Sequence, residues 1–234
     1  MIDMQQQAYS GVDNLEVMQE AVNYNRYLLN TVRRHAPPQA RVLDFGAGGG
    51  QFAAPLAGMR LNVTALEPDQ LLQQRLRAQG LRAIGSTEEL PDASFDYIYT
   101  LNVLEHIEDD AAALRSLHAK LIDGGKLLIY VPAFPALYTS MDAKVGHVRR
   151  YTRDTLMARV TAAGFRIDRV AYADSIGFFA TLLFKLSGNK NGNVSLGALK
   201  LYDRAVFPLS RALDFLAQRW FGKNLLLICT KRPR

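Results

Sequence analysis

Cysteine is nearly absent from this sequence. Cys229 stands alone, so no disulfide can form within the chain, and its place in the apolar run "NLLLICTK" marks a buried, inert thiol rather than a nucleophile. Apolar runs long enough to cross a bilayer are missing too: the run from Ile176, "IGFFATLLF", falls far short of the roughly twenty residues required. The opening "MIDMQQQAYSG" lacks a basic n-region and an apolar core, which predicts no secretory signal and a cytoplasmic protein. No internal repeat or low-complexity tract occurs. With 49% hydrophobic and 21% charged residues, the composition excludes a disordered or fibrous chain, and 234 residues suit one domain carrying a large insertion. A net charge of +6 permits attraction to phosphates or to an anionic membrane, depending on where it sits.

What is present alternates. Leu15, Met18, Val22, Leu29 and Val32 fall on one stripe of a predicted N-terminal helix, with Asp13 and Glu16 spaced like a capping box. Strand patterns "RVLDF", "NVTALE", "LRAI", "FDYIYTL" and "GKLLIYV" then interleave with helical patterns near 50–58, 69–79 and 109–122, which argues for βαβ units and a parallel sheet. A helix in "TRDTLMARVTAAG" should end at Gly164, and "FRIDRVAYA" and "NLLLICTK" supply two more strands. The boundaries read as a helical segment 1–40, an α/β core 41–173, an insertion 174–223 and a closing strand with its tail, 224–234.

In "RVLDFGAGGGQF" a strand ends in a glycine-rich turn and leads into a helix, which brings bare backbone N–H groups against a ligand. Gly46, Gly48 and Gly50 are the expected contacts, against the plainer reading of a flexible turn. Glu67 ends the second strand in "ALEPD", where a carboxylate can accept from both ribose hydroxyls of an adenosine, or merely be a solvated strand-end residue. Asp44, inside an apolar strand, needs a partner, since a buried carboxylate without one is strongly disfavoured. It either orients the glycine loop or meets a cationic ligand group.

"VLDFGAGGG", "LEPD", "ELPDASFDYIYTLNVLEHI" and "LIDGGKLLIYVPA", in that order, resemble the class I S-adenosylmethionine-dependent methyltransferases from residue 41 to about 173. The resemblance implies a doubly wound, seven-stranded, mostly parallel α/β sheet of Rossmann-like type, whose last strand, "NLLLICTK", is antiparallel and preceded by a helical insertion. It assigns the methionine end of the cofactor to Asp44, Gly46, Gly48 and Gly50, and the ribose to Glu67. The family's adenine contact, often an aspartate, falls here on Ser86 beside Thr87, and Leu101 and Asn102 fall where the methionine amino group is approached. A nicotinamide-dependent oxidoreductase fits less well, because the third glycine of G-x-G-x-x-G would fall on Gln51. A nonenzymatic protein that kept the fold is the other alternative.

Methyl transfer from a sulfonium is a displacement that needs alignment, exclusion of water and, for an oxygen or nitrogen acceptor, a base. His106, beside Glu105 in "NVLEHI", is either a catalytic histidine or one that packs against the loop. Some quinone-pathway methyltransferases that this stretch resembles bind a metal with an extra acid three residues earlier; Asn102 stands there, so no metal is expected. "LYTSMDAKVGHVRRYT" is the expected acceptor loop, with His147 ahead of His106 as base, Asp142 as a second candidate base, Arg150 as an anion clamp and Tyr151 as an aromatic wall. The competing reading is a solvated loop with surface ion pairs of little consequence. Its pattern resembles a methyltransferase subgroup associated with cell-surface glycan or lipid-linked biosynthesis. His35 and His118 read as surface histidines.

The insertion carries Lys185, Lys190, Lys200, Arg204, Arg211, Arg219 and Lys223 against Asp174, Asp203 and Asp214, which is +4 of the chain's +6. Tyr202, Val206, Leu209, Leu213, Leu216 and Trp220 recur at helical spacing, with Pro208 expected to break the helix or start a second one. Such an apolar face beside basic residues suits a membrane-surface helix or lipid-entry lid, or packing on the domain itself or on a second subunit. The expected acceptor is a hydrophobic or lipid-linked small molecule. Nucleic acid ranks lower, because the N/D-P-P-Y motif of many base aminomethylating enzymes and a ring-methylating cysteine are both absent.

Overall fold

A computed structural model describes residues 18–188 and 195–233. Leu15, Lys190 and the Asp13–Glu16 capping box lie outside the described residues. One sheet contains β1 (Arg41–Phe45), β2 (Asn62–Leu66), β3 (Arg82–Ile84), β4 (Phe95–Leu101), β5 (Leu121–Pro132), β6 (Phe165–Ala173) and β7 (Asn224–Lys231), in the order β3-β2-β1-β4-β5-β7-β6. The pairs among β1 to β5 are parallel, and β7 runs antiparallel to both β5 and β6, as expected of the last strand. All of β7 is buried, which explains its unbroken apolar run and the inert setting of Cys229.

Helices cover both faces. Leu28 and Val32 of α1 (Val22–His35), Leu56 of α2 (Ala53–Gly58) and Leu76 of α3 (Gln70–Ala78) meet Val42, Tyr97, Tyr99 and Leu128 in one apolar layer. On the other face Leu114 and Leu117 of α4 (Asp110–Lys120) pack with Leu156 and Val160 of α6 (Arg153–Ala162). Val22 departs from its expected stripe, being 55% exposed, because the inward side of α1 runs through Leu28, Thr31 and Val32. His118 is not a surface residue either: α4 sets its half-buried ring edge-on to Phe165, 4.9 Å between centroids.

The insertion folds as α7 (Ser175–Leu186), α8 (Leu196–Leu201), a π-helical turn Tyr202–Val206 and α9 (Phe207–Ala217). Pro208 is the second residue of α9, directly after the π-helical turn, the irregularity at which α8 passes into α9. The amphipathic sense of α9 is the reverse of ordinary. Leu209, Leu213, Leu216 and Trp220 are exposed, while Asp203, Ser210 and Asp214 face inward.

Helix ends explain that inversion. The first N–H groups of a helix lack partners within it and carry its positive end, so a carboxylate placed there is stabilising. Asp203 accepts from Asn23 and Tyr24 N–H at the start of α1, both at 2.9 Å. Asp214 accepts from Asp174 N–H at 2.9 Å and Ser175 N–H at 2.8 Å at the start of α7. Asp174 accepts from Gly177 N–H and from the Tyr202 and Ser210 hydroxyls. All three acids of the insertion are thereby spent inside, tying α1, α7 and α9 together.

Candidate active site

At the carboxyl end of β1 the backbone of Gly46, Gly48 and Gly50 turns through φ of +86°, +54° and +88°. Gly46 is also closed to a side chain: a Cβ there would lie 2.3 Å from Val103 Cγ2. Gln79, which caps the end of α3, holds the turn from outside, its amide donating to the Gly49 carbonyl at 2.9 Å. Glu67, at the neighbouring end of β2, accepts from Gly48 N–H at 2.8 Å and Asp69 N–H at 3.1 Å. Burial raises its carboxyl, against which those two backbone bonds work.

Asp44 is buried at the base of this turn, and its Oδ2 has no hydrogen-bond partner. Burial, with the charge of Glu67 adding to it, pushes its pKa up to about 7. Asn102 adopts φ +55° just beyond β4, and its side-chain amide reaches the Tyr24 hydroxyl of α1 at 3.4 Å. Leu101 ends β4 beside it. Ser86 caps the short turn Thr87–Glu89 after β3, where its N–H donates to Glu89, and the Thr87 hydroxyl accepts from Ser116 of α4 at 2.9 Å.

The segment after β4 links this cradle to a second cluster. Val103 lies against Gly46, and His106, three residues on, meets the His147 ring at 4.7 Å, edge to face. His147 follows the short helix α5 (Ser140–Lys144), and its Nδ1 lies 2.8 Å from Asp142 Oδ1. Arg150 grips the same carboxylate with Nε at 2.8 Å and Nη2 at 3.0 Å, and Thr139 N–H adds a bond at 2.8 Å. Burial would raise the Asp142 carboxyl, but hydrogen bonds from His147 and Arg150 outweigh it and hold it well below the usual range. An ionised Asp142 only accepts, so His147 holds a proton on Nδ1 toward it.

His147 Nε2 faces Glu105 Oε1 at 3.8 Å. Glu105 is fully buried, neither oxygen has a hydrogen-bond partner, and burial pushes its pKa up to about 8. Burial and the neighbouring His147 bring His106 down to about 4. Glu105, His106 and His147 each place one ligand atom within 4.8 Å of the others, a set able to hold a cation, although Asn102 in place of the relatives' extra acid led to the expectation of no metal.

Arg150 and Tyr151 are placed otherwise than a loop pattern suggests. The Arg150 guanidinium is buried against Asp142 and the Ala133 carbonyl, which leaves it no open fork for an anion. Tyr151 is 1% exposed, and its hydroxyl donates to Asp110 at 2.6 Å rather than lining an acceptor wall. The loop is therefore a built element: breaking a buried pair such as Asp142–Arg150 by removing one partner costs about 3 to 5 kcal/mol. Sequence reasoning missed Tyr24, Val103 and Gln79. They carry no motif, since only the packing of α1, the β4 loop and α3 brings them to the glycine turn.

Residues 18–170 match a family model described as a methyltransferase domain. The chain belongs to the methyltransferase domain family. With the family comes S-adenosylmethionine as cofactor, and the nicotinamide alternative falls away. A ubiquinone biosynthesis O-methyltransferase from Xanthomonas axonopodis pv. citri is 34% identical over 119 residues, 44% of this chain and 50% of that protein. An uncharacterized methyltransferase from Mycobacterium bovis is 36% identical over 103 residues, 41% of this chain and 52% of that protein. The methyltransferase chain thus spans about half the length of the curated relatives it matches. Among solved structures, a SAM-dependent methyltransferase from Thermotoga maritima has TM-score 0.63 at 20% identity, covering 96% of this chain and 98% of that one. A Burkholderia thailandensis 1,6-didemethyltoxoflavin-N1-methyltransferase, solved with S-adenosylhomocysteine, has TM-score 0.60 at 19% identity, covering 96% and 84%. Both show the fold.

Proposed function

We propose that the protein moves a methyl group from S-adenosylmethionine to an oxygen of a small hydrophobic or lipid-linked acceptor, with His147 as general base. The observation that carries this reading is the Asp142–His147 pair at 2.8 Å, on a segment joined through His106 and Val103 to the glycine turn. Bound S-adenosylmethionine supplies an electrophilic methyl carbon on its sulfonium sulfur. Gly46, Gly48 and Gly50 are assigned to its methionine end, with Leu101 and Asn102 beside the amino group. Asp44 Oδ2, buried without a partner, fits a cationic group, and Glu67 fits the ribose hydroxyls. Ser86 and Thr87 mark the adenine end, Ser86 nearer the ligand because Thr87 is turned onto Ser116.

The chain's residues then divide the work on the acceptor. Asp142 fixes the His147 tautomer, so that Nε2 takes the acceptor's proton. Arg150 is a positioning residue that keeps Asp142 ionised. Burial holds Glu105 and His106 uncharged beside His147 near neutral pH. Tyr151 anchors the loop to Asp110. A groove of about 420 Å³ between Tyr138–Ala143 and Phe184–Gly188 lies beside the helix that bears Asp142, which supports an acceptor with an apolar tail approaching from the insertion. The relatives' name, carried to this chain, supports oxygen as the acceptor atom. An acceptor of this kind also favours peripheral contact with a membrane surface.

The test is transfer of labelled methyl from S-adenosylmethionine into host-cell extract, split into organic and aqueous fractions. Label is expected in the organic fraction. His147→Gln should lower turnover at least a hundredfold, the scale of general-base catalysis, with S-adenosylhomocysteine affinity within about twofold of the parent. Label confined to the aqueous fraction removes the lipid acceptor, and parental turnover in His147→Gln removes the base. No transfer despite tight cofactor binding would point to a binding-only protein.

A further inference from the structure

The inverted face of α7 and α9 is the largest feature the reaction leaves unexplained. Phe179, Leu183 and Leu186 on α7, Leu209, Leu213, Phe215 and Leu216 on α9 and Trp220 beyond it are between 44% and 81% exposed. Scattered exposed leucines are ordinary, but a contiguous patch spread over two adjoining helices is not. Between the helices Ile176, Phe179, Leu213, Leu216 and Trp220 line an apolar groove of about 280 Å³.

Charge decides among occupants. The insertion's acids, Asp174, Asp203 and Asp214, are 1%, 2% and 3% exposed and are committed to helix ends, so none reaches the surface. Of its described cations, Lys185, Arg204 and Arg219 are exposed and Lys200 pairs at 2.8 Å with Glu20, whereas Arg211 is spent on Asp214 and the Tyr27 ring and burial lowers the Lys223 pKa. The insertion therefore shows exposed apolar side chains and exposed cations, with none of its own described acids at the surface. Two copies meeting face to face would bring like charges together with no described acid of the insertion to oppose them. An anionic lipid surface supplies both an apolar interior and the opposite charge.

We infer that the α7–α9 face docks on an anionic membrane, with Phe215, Leu216 and Trp220 entering the headgroup boundary and the groove between the helices receiving an acyl chain. This names the surface that delivers the acceptor and so rests on the lipid-linked reading, though docking is measured without methyl transfer. No helix among the described residues is long and apolar enough to cross a membrane, so the contact is at the surface. α7 leaves the carboxyl end of β6, and its Phe178 meets Phe134, just ahead of the acceptor loop, at 5.3 Å, so a bilayer on this face stands beside the candidate site.

The protein carries its own probe, because Trp220 is the only tryptophan and is 69% exposed. Purified full chain is mixed with vesicles of phosphatidylglycerol and phosphatidylcholine, with phosphatidylcholine alone as control, and emission and co-sedimentation are read together. The expected result is a blue shift and co-sedimentation with anionic vesicles, weakened by salt. The double variant F215S/L216S should lower binding at least tenfold, with S-adenosylhomocysteine affinity unchanged, which shows that it is folded. Binding is also expected to fall in the charge-reversed Arg219→Glu. No blue shift with anionic vesicles overturns the inference, as does a concentration-dependent dimer that F215S/L216S dissolves. Loss of cofactor binding in the parent would count against the methyltransferase reading alone.

Discussion

Replacing Asp44 by asparagine should make the cofactor-free protein more stable and the cofactor bind more weakly, two effects of opposite sign from one atom. The carboxyl is buried, its Oδ2 has no partner, and its pKa stands at about 7 against an ordinary 3.8. An acid whose folded-state pKa is raised favours folding fully below the unfolded value. That preference is lost as pH rises through the folded value, here between 3.8 and about 7. At about 1.4 kcal/mol per pH unit, the ionised carboxylate costs about 4 kcal/mol by pH 8 and under half of that at pH 5. An asparagine avoids this but buries an amide with incomplete bonding, at about 1 to 3 kcal/mol. The expected net gain at pH 8 is about 1 to 3 kcal/mol, exceeding that at pH 5 by about 2 to 3 kcal/mol. In a chain of this size it raises Tm by roughly 2 to 12 °C. Urea unfolding followed by circular dichroism at both pH values measures the first effect. Calorimetric titration with S-adenosylhomocysteine measures the second, expected as at least a tenfold loss of affinity. Equal destabilisation at pH 5 and pH 8, or unchanged affinity, would refute the assignment of Asp44 to a cationic ligand group.

Gly46→Ala should destabilise by about 2 to 4 kcal/mol, because its Cβ would meet Val103 Cγ2 at 2.3 Å at φ +86°; adding Val103→Ala should recover part of that loss in urea unfolding. Asp142→Ala should destabilise by about 3 to 5 kcal/mol at pH 7 by stranding Arg150, a loss read as a lower urea midpoint. The sign with pH is the reverse of that for Asp44. The Asp142 pKa is depressed, so its contribution is present above the unfolded value of 3.8 and disappears as pH falls below it.

The sheet was legible in sequence because each of its strands advertises itself in the same way. Val42, Leu43, Val63 and Ala65 are buried, so their strands read as short apolar runs between turns, and Gly164 ends its helix with the φ of +98° that glycine allows. The cofactor cradle was legible for the same local reason, since the turn and Glu67 lie close along the chain. The acceptor loop was legible only as a list of residue types. Composition placed Asp142, His147, Arg150 and Tyr151 together, but which of them faces inward depends on partners from elsewhere, Ala133 for Arg150 and Asp110 for Tyr151.

The insertion shows where periodicity stops informing. Tyr202, Val206, Leu209, Leu213, Leu216 and Trp220 form a true apolar stripe, and a helix with one apolar side ordinarily turns it to the core. Here Asp203, Ser210 and Asp214 share the inward side with Phe207 and Ala217, because the starts of α1 and α7 offer N–H groups that those buried acceptors satisfy. Leaving those donors unmet costs about 1 to 3 kcal/mol each, comparable to what burying a leucine gains, so the polar side wins the interior. The period of a pattern therefore fixed that a helix exists, while the unsatisfied ends of its neighbours fixed which side faces out. The stripe so turned outward is the face proposed to dock on an anionic membrane.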